Sequence, residues 1–217
     1  YIINDIFNIT ADEINKPESV VIGKKITEKK ARLVYLLLNA VGISISLYLA
    51  IKIEHPTMAL VQVFIVASLW MYSSYYKRRI LSGNFIIALL SALVLIVVGL
   101  FEPEFYRNFV FLMAYSGFAF FVSLTREIIK DMEDVEGDEK AQYKTLPVRF
   151  GLQKTKGIIY FNLLLTGGLI VLVFYQFFFI NKVISFWYLL SMFLIPFLAL
   201  TYLIYSANEK KDYYYAS

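Results

Sequence analysis

The chain of 217 residues has no cysteine, one histidine, five prolines and ten glycines. The absence of cysteine excludes disulfide bonds and leaves the redox compartment open. The scarcity of proline and glycine excludes a long flexible linker, which favours one domain over residues 1–217. We interpret the single histidine, His55, as structural, because the topology argued below places it on the side opposite the polar segments.

Charged residues are also few. They make up 18% of the chain, whereas hydrophobic residues make up 59% and the mean hydropathy is +0.62, as is typical of membrane proteins. Six runs of at least 18 residues contain no Asp, Glu, Lys or Arg: 33–51, 55–76, 80–101, 108–125, 157–181 and 183–208. Each is close to or longer than the roughly 20 residues needed to span a bilayer, and none alternates strictly as a barrel strand does. The sequence therefore predicts an all-α, polytopic transmembrane helical bundle with six helices.

The basic residues between these runs are distributed unevenly. With six membrane crossings, one side carries 18 Lys and Arg, and the other carries only Lys52, Arg107 and Lys182. The positive-inside rule assigns the basic side to the cytoplasm. We therefore interpret the net charge of +4 as a sign of orientation in the membrane, and we see no separate basic patch for nucleic acid. We expect a multi-pass integral membrane protein whose long polar segments, and any active site they form, face the cytoplasm.

The densest polar segment follows the fourth apolar run and extends from Arg126 to Asp138. Its most regular carboxylates are spaced four, three and four residues apart: Glu127, Asp131, Asp134 and Asp138. On a continuous helix they would share one narrow stripe, where their charges repel. A bound divalent cation relieves such repulsion, and hard oxygen ligands suit Mg²⁺. A solvated acidic helix end is the competing interpretation, and spacing alone does not decide between the two.

A second cluster of oxygen-bearing side chains lies in the first 12 residues. Asn4, Asn8 and Asp12 recur every four residues with Asp5 beside them, and Pro17 predicts the end of any helix here. Asn and Asp also favour caps and turns, so this cluster is a weak signal by itself. It gains weight because the predicted topology places it on the same side as the acidic segment. Two such clusters, with Lys and Arg between them, would form a receptor for a Mg²⁺-bound diphosphate.

These segments resemble the motifs of a known family. Residues Asn4 to Pro17 are similar to the pattern N-D-x-x-D-x-x-x-D-x-x-N-K-P, and Arg126 to Asp138, followed by 144–151, are similar to a second acidic motif. Shorter elements between them also agree: Tyr72-Ser73, Lys77-Arg78 and Gly83-Asn84. In order and separation, these elements resemble the UbiA superfamily of intramembrane prenyltransferases over essentially the whole chain.

The resemblance implies a nine-helix fold around a central cavity, in which this chain would carry helices 3 to 8 and be incomplete at both ends. The chain departs from the family pattern at Asn8, where the family places Asp. An amide oxygen coordinates Mg²⁺ without supplying charge, so the first metal site would be weaker or would depend more on Asp5 or Asp12. The Arg-Pro pair usual after N-K-P is replaced by Ser19-Val20.

The reaction implied by the resemblance is an electrophilic alkylation, in which Mg²⁺ bridges the diphosphate of a prenyl donor. The implied ligands of one ion are Asp131, Asp134 and Asp138. The implied ligands of a second ion are Asn4 and Asn8, together with Asp5 or Asp12. The other implied site residues contact the diphosphate or the allylic cation: Lys16, Lys77, Arg78, Lys144 and Tyr72. Membrane anchoring by the basic residues and interfacial packing by the tyrosine stay open as alternatives.

The acceptor is the least determined feature. The form R-E-x-x-K-D-x-E-D-x-x-G-D most resembles the branch that prenylates geranylgeranylglyceryl phosphate in the ether-lipid biosynthesis of a prokaryotic cell membrane. Relatives that prenylate aromatic acceptors in quinone, tocopherol or chlorin biosynthesis are the alternative. An ion-binding transporter is a non-enzyme alternative. It predicts carboxylates at membrane depth, whereas the six apolar runs contain none.

Overall fold

The computed structural model of the chain describes residues 1–52, 54–100 and 105–216. In these ranges the regular structure is helical, apart from an isolated β-bridge between Ile22 and Ile26. The α-helices of the described residues are α1 (Ile2–Asn15), α2 (Glu28–Lys52), α3 (Thr57–Ser74), α4 (Ser82–Leu100), α5 (Phe105–Glu133), α6 (Val135–Lys140), α7 (Leu146–Phe150), α8 (Leu152–Leu189), α9 (Ile195–Ser206) and α10 (Lys210–Ala216). The prediction of an all-α fold is confirmed.

Five helices in the described part of the chain are long and apolar enough to cross a membrane. The candidate spans are Glu28–Lys52, Ala59–Arg78, Ser82–Gly99, Phe109–Glu133 and Leu152–Val173, of which the second extends beyond the end of α3. Their outer faces expose large apolar side chains, as a lipid environment allows: Leu36, Leu60 and Leu164 are 63%, 69% and 71% exposed. These stretches overlap the first five apolar runs, so the predicted membrane bundle is confirmed there.

The sixth apolar run differs from the prediction. The charge of Lys182 predicts a connection at that point, but α8 continues through it to Leu189, and a π-helical turn over Leu190–Leu194 leads into α9. A shorter apolar helix, Ser191–Ser206, stands in place of a sixth long one. Lysine is a good helix former, so a single lysine between two apolar runs does not end a helix. The irregular turn precedes Pro196 instead, because proline lacks the backbone N–H that a regular helix requires.

The chain divides into two compact units. The first contains Tyr1–Gly83 and Glu136–Lys144. In this unit α1 packs on α2 and α3, and its small buried core consists of Ile6, Ile22 and Ala31. Helix α1 ends at Asn15, two residues before Pro17, as the sequence predicts. The other face of α1 is therefore a rigid support for polar side chains.

The second unit contains Asn84–Val135 and Thr145–Ser217. In this unit α5 packs on α7, α8 and α10. Hydrogen bonds between side chains add to this packing. Asn162 of α8 donates to the Thr125 hydroxyl at 2.6 Å and to the Phe121 carbonyl at 2.7 Å, and the hydroxyls of Ser91 and Ser123 lie 3.0 Å apart. Polar contacts of this kind hold apolar helices in register, since lipid offers them no alternative partner.

The acidic segment is not one continuous helix. Helix α5 ends at Glu133, Asp134 lies in a bend, and α6 begins at Val135. The expected single stripe of carboxylates is therefore interrupted at Asp134, and Asp138 lies on a separate short helix. The segment contains no proline, so its local sequence does not predict the break. The break coincides with a contact between α6 and the remote helix α1, which local spacing does not reveal.

Candidate functional site

The polar face of α1 carries a pair of hydrogen-bonded amides. The Asn8 amide nitrogen donates to Asn4 Oδ1 at 2.7 Å, and Asn8 is only 1% exposed. The ammonium of Lys77 donates to the same Asn4 oxygen at 3.3 Å. The spacing of Asn4 and Asn8 thus does place them on one helix face, as predicted. The fold also brings Lys77 to them from 73 residues away.

Lys77 and Arg78 lie in a short 3₁₀ turn, Tyr76–Arg78, that follows α3. A Cβ atom built on Gly83 would lie 2.9 Å from the Lys77 Cα, so only glycine allows α4 to begin this close to the turn. The Arg78 guanidinium donates to the Phe7 carbonyl of α1 at 3.4 Å. The Arg78 carbonyl accepts a hydrogen bond from the Lys144 backbone N–H at 2.9 Å. Arg78 is thus held on two sides, by α1 through its guanidinium and by Lys144 through its carbonyl.

Tyr143 is a site residue that the sequence interpretation missed. Its hydroxyl lies 3.4 Å from both Asn8 Oδ1 and the Phe7 carbonyl, as a donor to each, and its ring lies under the Arg78 guanidinium at 5.3 Å. Its one sequence signal is that it is the sole aromatic residue between Arg126 and Arg149. Lys77, Asn4, Asn8 and Tyr143 thus form a chain of side-chain hydrogen bonds, which we call the amide relay.

The surroundings of Tyr143 keep its hydroxyl protonated. Burial raises the pKa of Tyr143, the nearby Arg78 guanidinium opposes that rise, and the carboxylates of Asp138 and Asp12 add to it. The phenol therefore remains a hydrogen-bond donor to Asn8 at neutral pH. The two carboxylates act on the same hydroxyl, so one acid from each predicted motif lies within electrostatic reach of the amide relay.

Other predicted residues occupy separate positions. Asp5 is exposed on α1, Lys144 is exposed, Lys16 caps the end of α1 through its backbone N–H, and Tyr72 is buried near the end of α3. In the second unit, the Asn84 amide donates to Asp131 Oδ2 at 2.8 Å. Asn84 is 6% exposed, so this bond is shielded and fixes one oxygen of Asp131. Asn84 belongs to the predicted Gly-Asn element and has a defined partner here.

The oxygen atoms around the amide relay are of the kind that a hard divalent cation binds. Among the described residues there is no group of three or more His, Cys, Asp or Glu side chains that could hold a metal ion. The first unit instead offers two carboxylates, Asp12 and Asp138, and the amide oxygens of Asn4 and Asn8. Mg²⁺ commonly takes one or two carboxylates and completes its shell with water and phosphate oxygens. The residues present therefore fit a cation that arrives with a phosphorylated substrate.

The similarity of this chain to known proteins extends over most of its length. The model of the UbiA prenyltransferase family matches residues 1–215. The digeranylgeranylglyceryl phosphate synthase of Sulfurisphaera tokodaii is 38% identical over 157 residues, which are 71% of this chain and 54% of that protein. The protein of the same name from Methanosphaera stadtmanae is 34% identical over 152 residues, which are 70% of this chain and 53% of that protein. The chain thus spans about half the length of the curated relatives it matches.

A solved structure gives a similar result. It is described as giving structural and mechanistic insights into the biosynthesis of digeranylgeranylglyceryl phosphate synthase in membranes. The two chains superpose with a TM-score of 0.64 and are 27% identical, and the match covers 99% of this chain and 72% of that one.

Proposed function

Since the chain belongs to the UbiA prenyltransferase family, we propose that its protein transfers a geranylgeranyl group from geranylgeranyl diphosphate to geranylgeranylglyceryl phosphate within a membrane. The observation that carries this proposal is the amide relay with Arg78 beside it. It combines two cationic side chains and several hard oxygens at the ends of apolar helices, which suits a diphosphate head group with a lipid tail.

The choice of acceptor rests on relatives. The similar proteins from Sulfurisphaera tokodaii and Methanosphaera stadtmanae are both named digeranylgeranylglyceryl phosphate synthase. The form of the second acidic motif supports the same acceptor. Both substrates would then carry long isoprenoid tails that reach the site from the lipid, and the exposed apolar faces of the long helices are compatible with such tails.

Divalent-metal dependence is general in this family. We assign Mg²⁺ as the metal, because the available donors are carboxylate and amide oxygens. Asn4, Asn8 and Asp12 would hold it on the side of the first motif. On the side of the second motif the proposed ligands are Asp131, Asp134 and Asp138, on the basis of their sequence pattern. When bound, Mg²⁺ would offset the negative charge that the leaving diphosphate gains.

The side chains of the protein have separate tasks in this scheme. Lys77 uses one donor on Asn4 and has two more for phosphate oxygens, and Arg78, Lys16 and Lys144 are further candidate phosphate contacts. The carbon–oxygen bond of the donor breaks, and diphosphate keeps the electron pair. The hydroxyl oxygen of the second substrate then bonds to the resulting allylic cation, and the hydroxyl proton passes to diphosphate or water. The Tyr72 ring is our candidate to stabilise the cation through its π face.

The location of the reaction is also part of the proposal. The 18 basic residues on one predicted side and the clustering of both motifs there support a site that faces the cytoplasm of a prokaryotic cell. In this arrangement diphosphate would leave into the cytoplasm while the product stays in the membrane.

The test is prenyl transfer by the protein in membranes, supplied with labelled geranylgeranyl diphosphate, Mg²⁺ and a panel of acceptors. We expect label in a doubly prenylated glycerophosphate lipid and none in 4-hydroxybenzoate or a naphthoate. Transfer to an aromatic acceptor alone would overturn the acceptor assignment, and the absence of transfer to every acceptor would overturn the function.

Replacement of proposed metal ligands supplies a sharper test of the mechanism. We expect Asp138→Ala or Asp134→Ala to reduce transfer by at least about a hundredfold while leaving membrane insertion intact, because groups that stabilise transferring phosphates are commonly worth about 3 kcal/mol or more. Glu18→Ala, a change at an exposed acidic residue outside the acidic segment, is the control. Near-normal turnover of both aspartate variants at saturating Mg²⁺ would exclude them as ligands.

A further inference from the structure

We propose that Asn15 and Gly137 form a lock between α1 and α6 that sets the separation of Asp12 and Asp138. Asn15 is then a positioning residue for divalent-cation binding. This inference rests on the proposed function, because it concerns carboxylates assigned there to the metal. Neither Asn15 nor Gly137 is itself a proposed ligand.

The first part of the lock is a buried hydrogen bond. Asn15, the last residue of α1, accepts a hydrogen bond at 3.0 Å from the Gly137 backbone N–H, across 122 residues of sequence. Gly137 lies in the first turn of α6, where backbone N–H groups have no partner within their own helix. The Asn15 side chain therefore caps α6 from a remote helix. Both residues are buried, so water does not offer an alternative partner.

The second part of the lock is the absence of a side chain at residue 137. A Cβ atom built on Gly137 would lie 2.7 Å from the Ala11 carbonyl oxygen and 2.5 Å from Asn15 Cγ. The first of these atoms belongs to the helix backbone and cannot turn away. Any larger residue at 137 would therefore move α6 away from α1 by a few tenths of an ångström. Ala11 is itself 4% exposed, so the two helices cross at their smallest residues.

The crossing point lies directly beside the two acids. Asp12 follows Ala11 on α1, and Asp138 follows Gly137 on α6. Tyr143 is in turn joined to this helix, since its backbone N–H donates to the Asp138 carbonyl at 2.8 Å. A shift of α6 along α1 would change the Asp12–Asp138 separation and the position of Tyr143 together.

The geometry can be tested without any assay of activity, because the chain has no cysteine. The Cβ built on Gly137 is 2.5 Å from Asn15 Cγ. One carbon–carbon bond of roughly 1.5 Å separates that Cγ from its own Cβ, so the two Cβ atoms lie within about 4 Å. Disulfides require a Cβ–Cβ distance of about 3.5–4.5 Å. A shift of a few tenths of an ångström, which lets a Cβ at residue 137 clear the Ala11 carbonyl, keeps the two residues within that range. We therefore expect the double variant Asn15→Cys, Gly137→Cys to form an intramolecular disulfide in membranes, detected by mass spectrometry after digestion. Each single variant is the control for thiol reactivity.

The effect on the metal is tested by Mn²⁺ binding to the purified protein, followed by electron paramagnetic resonance, with Mn²⁺ standing in for Mg²⁺. We expect Asn15→Leu and Gly137→Ala each to weaken Mn²⁺ binding by about tenfold, the lower end of the effect of residues that orient metal ligands. Gly157→Ala is the matched control for the glycine, since a Cβ there meets nothing within 4 Å. Asn39→Leu is the control for the asparagine, since the Asn39 amide donates to Tyr35 of its own helix.

The outcomes separate this inference from the proposed function. A wild-type protein that binds Mn²⁺ but transfers no prenyl group would overturn the function and leave the lock standing. Failure of the disulfide to form would overturn the helix crossing. A disulfide together with unchanged Mn²⁺ affinity in both variants, or a wild-type protein that binds no Mn²⁺, would show that the crossing does not position a metal site.

Discussion

Asn8 differs from the Asp of the family pattern in two ways, since it carries no charge and its amide donates a hydrogen bond. Its amide donates to Asn4 and its oxygen accepts from Tyr143, so it uses both ends of a neutral group. A carboxylate could keep the bond from Tyr143 but has no hydrogen to give to Asn4. The amide relay would then persist only if the Asn4 amide turned and became the donor.

Our first prediction is that Asn8→Asp lowers the Mg²⁺ concentration needed for half-maximal activity, because the added charge outweighs one rearranged hydrogen bond. Asn8→Leu, which supplies neither oxygen nor charge, should raise that concentration. A Mg²⁺ titration of the wild type and both variants is the measurement. An unchanged or higher Mg²⁺ requirement in the Asn8→Asp variant would contradict the assignment of Asn8 as a weakened metal ligand.

Our second prediction concerns Tyr143. Tyr143→Phe keeps the ring beneath Arg78 but removes the hydroxyl that reaches Asn8, so we expect a loss of about 0.5–1.5 kcal/mol in the free energy of unfolding. Activity should fall by up to about tenfold, as that energy allows. Denaturant titration and turnover measure the two effects. The control is Tyr205→Phe, since Tyr205 is 75% exposed, and equal effects of the two variants would remove Tyr143 from the site.

The pH dependence of the same variant has a definite sign. The pKa of Tyr143 is raised above its ordinary 10.0, chiefly by burial, so the folded state favours the neutral phenol. This stabilisation is present below pH 10.0 and is lost as pH rises through the higher folded-state pKa. Between pH 10.0 and that higher pKa, the wild type should therefore lose stability that the Tyr143→Phe variant keeps.

At the scale of helices, the ends of elements differ in how well local sequence predicts them. Helix α1 ends where Pro17 requires it, since proline restricts the residue before it whatever the fold. The end of α5 at Glu133 has no such local cause, and the contact of α6 with Asn15 is made across the chain. Helix α8 continues through Lys182. A charged residue affects how deep a helix lies in the membrane but does not break the helix.

Our third prediction belongs to the α5–α8 contact of the second unit. Asn162 is 4% exposed and donates to the Thr125 hydroxyl and the Phe121 carbonyl. Asn162→Leu should destabilise the protein by about 1 kcal/mol, since hydrogen bonds between membrane helices average about 0.6 and reach about 1.7 kcal/mol. Unfolding in mixed detergent micelles is the measurement. Asn39→Leu should have a smaller effect, because the amide of Asn39 bonds within α2, and a larger effect there would contradict the argument.

At the scale of the whole molecule, the distribution of charge predicts an orientation in the membrane. Cysteines introduced at Ser19 and Ser82 should react with a membrane-impermeant thiol reagent only from the cytoplasmic side, and one at Glu104 only from the outside. Glu104 lies outside the described residues, and its place in this fourth prediction comes from sequence. The native chain has no thiol, so each label has one possible site. Labelling of Ser19→Cys and Glu104→Cys from the same side would refute the predicted topology.

The sequence by itself determined the class of the protein and the place of five long apolar helices. Run length, composition and Pro17 act locally, because a bilayer requires apolar length and proline restricts its own neighbours. Only the tertiary structure decided that Tyr143 reaches Asn8, that α5 stops before Asp134 and that α6 meets Asn15. Those features depend on contacts between residues 122 to 135 positions apart. Such contacts leave no periodic signal, because hydrogen bonds and close packing depend on distances in space.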